Sequence, residues 1–551
     1  MFKLNSEMQR VIPINLIGYS LIVIAILIGF ITRIIAVFQY ISFDIGPDPD
    51  QVRDAFAVIN IWKGDFPTLG PQVTTIGRHH ILPLYYYLFF PFTLLGADPV
   101  FQALPNALFS FLSIPLLTYL VFLLLEKVEA PRRIFFSGLA GFWYSVLYGE
   151  IFISNFQWNP SSIPFFLLAF TLLYYLQIEG KFPFVIQIIL WFLYGVVLAI
   201  LISLHSSTLF IMPVVFIISS SIFIYKIIKR KLYLSISLPI ISGLSTVLAL
   251  LPYWIGEFGR GFRNTKTIIQ TLTSANSSSE NPFLINLGKR LSNVFLNYYK
   301  LFQEVYLGNS SWIYLLIAFV FISLVTYLGI TKFKGNKSIW CIWCSTWGLY
   351  LYAASNLDPE KSFIHYKLLI LFAPIVFTIT SLAYVNVAGI KKVIFYISIG
   401  IIILISCLSN LFYDYQFMLV KYGINRVINT ADITQVINQL PSGAVICDPR
   451  VRGKRIVNNQ YNYIDTNITL KGIKIVNVCA SGNYVIHPKR LLLIDGNFLN
   501  DTSYEKPYYL KFTPSDLEKL WPIFKISENG MITRPSKLVL ETDAAKVYIL
   551  N

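Results

Sequence analysis

The chain is short of charge. Of its 551 residues, 13% are charged and 55% are hydrophobic, with a mean hydropathy of +0.62, whereas soluble domains carry about 25% charged residues. That excludes an ordinary water-soluble fold and points to an integral membrane protein. Cysteine and histidine are sparse, at five each, and an odd handful of cysteines defines no disulfide framework. Cys341 and Cys344 imitate a metal pair, but they lie in an apolar segment without a second pair, so packing is their expected role. Cys447 and Cys479 are placed to pair if the tail faces an oxidising compartment. Internal repeats and low-complexity tracts are also lacking. The net charge of +16 does not by itself indicate nucleic acid, because basic residues of membrane proteins gather in short cytoplasmic loops.

What the chain has in quantity is apolar length. A bilayer core needs about 20 apolar residues per helix, which places eleven spans at 12–38, 101–125, 134–152, 161–178, 184–204, 208–226, 232–252, 312–331, 338–354, 365–388 and 392–413. The first run exceeds the 7–15-residue core typical of a signal peptide and lacks a small-residue cleavage site, so it reads as a retained span. Basic residues fall in every second gap: Lys3 and Arg10; Lys127, Arg132 and Arg133; Lys181; Lys226 to Lys231; Lys332 to Lys337; Lys391 and Lys392. The alternate short gaps hold Lys361 alone. The expected location is a bacterial inner membrane, with a cytoplasmic N-terminus and an extracytoplasmic tail.

Three long segments then lie outside: 39–100, 253–311 and the tail. The chain divides into a transmembrane domain, 1–413, and a soluble domain, 414–551. Short β-rich runs in the tail ("GAVICD", "IKIVNVC", "RLLLIDG") and the helix-start pattern "TPSDLEKLW" predict a small α/β or α+β fold.

The first outer loop concentrates the polar chemistry. Asp44, Asp48, Asp50 and Asp54 follow the first span, and Asp48-Pro49-Asp50 has the spacing of a metal–diphosphate clamp. Pro47 and Pro49 hold the backbone extended up to a helical pattern, "QVRDAFAVINIW", which puts Asp50 near a helix start. There a carboxylate is favoured by the helix dipole, so a plain cap is the competing reading. The later stretch "LPLYYYLFFPFTLLG", interrupted by Pro91, suits an interfacial or re-entrant helix.

Asp-Gln-x-Arg-Asp-Ala, then Gly-Asp-Phe-Pro-x-x-Gly-Pro, then His-His-x-x-Pro-Leu-Tyr-Tyr-Tyr and Gly-x-Asp-Pro resemble the first outer loop of GT-C fold glycosyltransferases. The similarity is to the bacterial branch related to protein O-mannosyltransferases and lipid A aminoarabinose transferases. It covers residues 12–200 by motif, including "WNPSSIPFFLLAF", and the remaining spans by layout. The resemblance implies a donor sugar on a polyprenyl phosphate and an acidic first-loop residue as catalytic base. Asp50-Gln51 stands where the family often has Asp-Glu; with one carboxylate fewer, a divalent metal stays an open question.

The chemistry fits those residues. Inverting transfer needs one base for the acceptor's proton and positive charge or N–H donors for the leaving phosphate. Asp50 is the expected base, with Asp48 its nearest rival. Candidates for the donor phosphate or substrate are Arg53, Arg78, His79, His80, Tyr85, Arg260, Arg263, His365 and Lys367. The bland alternatives are a surface pair for His79 and His80 and a snorkelling anchor for Lys367. Glu150 and His205, near outer span ends, are candidate acceptor-cavity residues, with plain helix-end roles as the commoner explanation. The implied partners are a polyprenyl-phosphate-linked sugar, a lipid, glycan or protein acceptor, and membrane lipid, without nucleic acid. A transporter or flippase of lipid-linked saccharides is the alternative class, although neither an inverted repeat nor a mid-span carboxylate supports it; a sensor or scaffold leaves the acidic loop without a role.

Overall fold

A computed structural model describes residues 14–38, 50–73, 79–180, 182–231, 233–274, 283–307, 312–355, 364–384, 389–422, 430–447, 466, 469–476, 484–488, 536–541 and 545–550. Asp44, Asp48, Arg78, Cys479, the run 490–496 and the helix-start pattern at 513–521 lie outside the described residues, as do the side chains of Asp50 and His365.

The protein is a polytopic helical membrane protein. Among the described residues, seven helical stretches are long and apolar enough to cross a bilayer: Ile14–Ile35, Pro99–Leu124, Asn159–Glu179, Phe184–Leu204, Ser206–Lys229, Tyr366–Tyr384 and Ile394–Tyr415. An eighth, Ser235–Ala249 with Leu251–Gly259, is bent by 59°. The three other expected spans are helical too. Two are the helices Trp312–Lys332 and Lys337–Ala354; the third, 134–152, is broken into Ala130–Ser145 and Tyr148–Ser154.

In chain order the helices are α1 (Ile14–Gly29, continued by a π-helical stretch, Phe30–Ile35), α2 (Asp50–Ile59), α3 (Leu84–Phe89), α4 (Pro99–Leu124), α5 (Ala130–Ser145), α6 (Tyr148–Ser154), α7 (Ile163–Glu179), α8 (Phe184–Leu204) and α9 (Ser206–Lys229). They continue with α10 (Leu238–Ala249), α11 (Leu251–Gly259), α12 (Arg263–Ser274), α13 (Phe283–Leu301), α14 (Trp312–Lys332), α15 (Lys337–Ala354), α16 (Ala373–Tyr384), α17 (Gly389–Tyr422) and α18 (Thr430–Gln439).

Local chemistry sets many of these boundaries. Asp98 accepts from Val100 N at 2.9 Å and Pro99 opens α4, an N-cap followed by a residue whose missing N–H costs nothing there. Asn336 caps α15 through Ser338 N and Ile339 N. α1 and α5 approach closely because both are glycine at the crossing: a Cβ on Gly138 would sit 2.4 Å from the Gly18 carbonyl oxygen. The expected short helix is Leu84–Phe89 followed by a 3-10 turn, Phe90–Leu95, twelve apolar residues in all and too short to span.

One end of the bundle gathers the basic connections. Lys226 pairs with Glu179 at 3.4 Å, Ser338 donates to the same carboxylate, and Asn336 donates to Glu126. The opposite end carries α2, α3, the start of α4 and the turn between α8 and α9.

The tail forms a five-stranded mixed sheet in the order β2-β1-β3-β5-β4: β1 (Val445–Cys447), β2 (Lys474–Val476), β3 (Tyr484–Pro488), β4 (Ser536–Glu541) and β5 (Ala545–Leu550). β1 runs parallel to β2 and β3, while β5 is antiparallel to both β3 and β4. Val436, Ile437 and Leu440 of the α18 region and Ile446 of β1 are buried in one apolar cluster with Ala55 and Ile59 of α2 and Val100 and Ala103 of α4. Burial of each aliphatic side chain of this size contributes about 1.5–3 kcal/mol, so the tail is seated on the bundle rather than merely tethered to it.

Candidate functional site

Asp50 is the first residue of α2. One turn on, Asp54 is fully buried: its Oδ1 accepts from Arg53 Nε at 2.9 Å and from the Tyr86 hydroxyl at 3.1 Å. Burial, reinforced by the Asp54 charge, pushes the Tyr86 phenol well above its ordinary pKa, so it remains a hydrogen donor. Arg53 and Asp54 therefore fasten α2 to α3, and Tyr85 is buried against Phe89 and Tyr86 in the same aromatic patch.

The motif between these helices folds back on itself. Gly70 N donates to Ile81 O, Ile81 N to Pro71 O and Val73 N to His79 O. Gly70 is required by this close approach, since a Cβ there would meet the Leu82 carbonyl oxygen at 2.6 Å. The turn separates the two histidines. His80 is held by Gly70 O at its Nδ1 and by Asn264 at its backbone. His79 turns inward, 1% exposed, with neither ring nitrogen hydrogen-bonded and its ring edge-on to Phe210 of α9 at 5.8 Å. Burial, with a smaller contribution from His80, holds its pKa below the usual imidazole value; the ring is neutral at pH 7.

α9 collects two further groups. His205 caps its N-terminus, its Nδ1 accepting from Ser207 N, and Thr208 completes a capping box. Burial drives the His205 pKa down to about 3, which keeps the ring an acceptor. Its face meets Tyr366 at 4.9 Å in an edge contact, and next to Tyr366 the side chain of Lys367 is fully buried. Tyr366 and Lys367 lie in a 3-10 segment, Ile364–Ile370, that also holds His365 and packs against Asn159–Ser162. "WNPSS" is thus a structural junction: Asn159 donates to Leu204 O, and Ser162 donates to Asn106.

The second long segment contributes a clamp. Arg260 donates to Glu257 at 3.1 Å and to Thr68 at 2.7 Å, and Thr265 caps the other Glu257 oxygen twice at 2.8 Å. Arg260 therefore ties the first loop to α11, while Arg263, at the start of α12, is exposed.

Sequence reading missed Arg33. It is fully buried in the π-helical stretch after α1, where Nε donates to Ser110 at 2.6 Å and Nη1 to Ser145 O at 2.9 Å. Ser110 passes on to Glu150 Oε2 at 2.8 Å, and Tyr144 donates to Glu150 Oε1 at 2.9 Å. Asp414, near the end of α17, is also buried and within electrostatic range of Arg33. The available signal was the charge itself, one arginine inside an apolar run; the structure adds that it sits in a π-helical stretch. Among the described residues no group of three or more His, Cys, Asp or Glu side chains could hold a metal ion.

No family model matches the chain, and no curated protein matches it. Among solved structures it is similar to ArnT from Cupriavidus metallidurans in the apo state, with 9% identity over 96% of this chain and 97% of that one and a TM-score of 0.49. The same protein bound to undecaprenyl phosphate gives 10% identity at the same coverage and TM-score. The archaeal oligosaccharyltransferase AglB from Archaeoglobus fulgidus, in complex with an inhibitory peptide and a dolichol-phosphate, gives 14% identity over 77% of this chain and 58% of that one, with a TM-score of 0.40.

Proposed function

We propose that the protein is a GT-C glycosyltransferase that moves a sugar from a polyprenyl-phosphate carrier to an acceptor at the outer membrane face, with inversion and with Asp50 as general base. The observation that supports this reading is that Asp50 opens α2 while the neighbouring Asp54 is committed to Arg53 and Tyr86, and that His79 and Tyr366 meet Phe210 and His205 at the start of α9.

In this reaction the acceptor hydroxyl passes its proton to the Asp50 carboxylate as its oxygen attacks the anomeric carbon. The carbon–oxygen bond to the lipid phosphate breaks on the opposite face, and the phosphate departs with the bonding pair. Lys367, Arg263, Arg78, His80 and His365 are the groups proposed to meet that charge. Arg260 shapes the loop through Glu257 and Thr68, and buried His79 offers a neutral ring to a polar substrate group. Asp48 remains the rival base.

The test is sugar transfer in membranes supplied with a polyprenyl-phosphate sugar. Asp50→Asn is expected to lose about 10²–10⁴-fold in rate, and Asp48→Asn much less. Near wild-type transfer by Asp50→Asn would remove the assignment.

A further inference from the structure

The tail shares one buried apolar cluster with the helix that begins with the proposed base. Residues four apart share a helix face, so α2 presents two adjacent stripes beyond its first turn: Asp54 and Val58, and Ala55 and Ile59. The first faces the bundle, Asp54 through Tyr86 and Val58 through the large transmembrane core. The second enters the separate cluster completed from the tail by Val436, Ile437, Leu440 and Ile446. α2 has ten residues, and a helix this short is marginal without packing partners.

We propose that α18 and the residue that follows it form a positioning element for sugar transfer: they act through α2, fixing how Asp50 is presented, and Ile437 and Leu440 do this without touching the substrate. The proposal rests on the reading of Asp50 as base. Its physical basis is that close-packed interfaces transmit small shifts and that a displacement of about 1 Å at a reacting group can lower a rate roughly 10²-fold.

The experiment uses the full-length protein in lipid nanodiscs, comparing wild type with Ile437→Asp, Leu440→Ala and the conservative Ile437→Val. Hydrogen exchange is measured at the amides of residues 51–59, alongside steady-state transfer from a polyprenyl-phosphate sugar. In Ile437→Asp, α2 exchange is expected to rise about tenfold or more, with kcat falling and donor KM unchanged; Ile437→Val should restore both. The milder Leu440→Ala should show the same pattern to a smaller degree and serves if Ile437→Asp does not accumulate. Faster exchange confined to the tail strands, or faster α2 exchange with kcat unchanged, would overturn the proposal. Because exchange does not involve the sugar, an active Asp50→Asn together with a responsive α2 would remove the base assignment while supporting the coupling of α18 to α2.

Discussion

Arg33 and Glu150 are joined through a single hydroxyl: Ser110 Oγ accepts from the guanidinium at 2.6 Å and donates to the carboxylate at 2.8 Å. The three residues come from the end of the first span, from α4 and from α6, so one buried polar chain fixes the mutual position of three elements. Arg33→Ala would leave Glu150 and Asp414 as buried carboxylates without their nearest positive charge. Removing one partner of a buried pair typically costs about 3–5 kcal/mol, and a large fall in Tm of the detergent-solubilised protein is expected. Glu150→Gln keeps the side-chain shape and one of the two acceptor oxygens while removing the charge, and should cost less.

His79 supplies a pH dependence with a definite sign. Its folded-state pKa lies below the ordinary value of 6.5, so the unfolded chain binds the extra proton first as pH falls. The folded state therefore loses stability from about 6.5 downward. His79→Gln, which cannot titrate, should show a smaller drop in Tm between pH 8 and 5.5 than wild type. Equal drops would mean that His79 does not contribute.

The α1–α5 crossing tolerates no side chain at Gly138, because its Cβ would strike the Gly18 backbone. Gly138→Ala must push the helices apart, and overpacking of this kind costs about 1–3 kcal/mol. Gly348, around which a Cβ meets nothing within 4 Å, is the matched control. Thermal stability of the two alanine variants separates a backbone clash from a general glycine effect.

The expected topology is tested in the tail. Ser442 is exposed just before β1, so Ser442→Cys in a background lacking the native cysteines should react with a membrane-impermeant maleimide in intact spheroplasts. Labelling that requires permeabilisation would reverse the orientation.

The spans were legible because about twenty consecutive apolar residues carry their own signal. The break at Val146–Leu147 was not, because it serves partners far away: α6 turns so that Glu150 meets Ser110, forty positions earlier. Arg33 was hidden for a related reason. One charge barely lowers the average of a long apolar run, and the groups that satisfy it, Ser110 and Ser145, lie 77 and 112 residues along the chain. The loop motifs read as chemistry, yet several of their residues hold the loop together: Asp98 caps α4, Gly70 admits the backbone of Ile81 and Leu82, and Tyr85 fills an aromatic patch. The convergence of His79, His205 and Tyr366 depends on tertiary packing around α9, which no local pattern encodes.

α17 runs unbroken for 34 residues, from Gly389 to Tyr422. At about 1.5 Å per residue it is roughly 50 Å long, well beyond the ~30 Å hydrocarbon core. Such a helix is a stiff mast. A tail that follows it and is seated against the bundle has two points of attachment, so a force on the sheet would load the membrane helices as well.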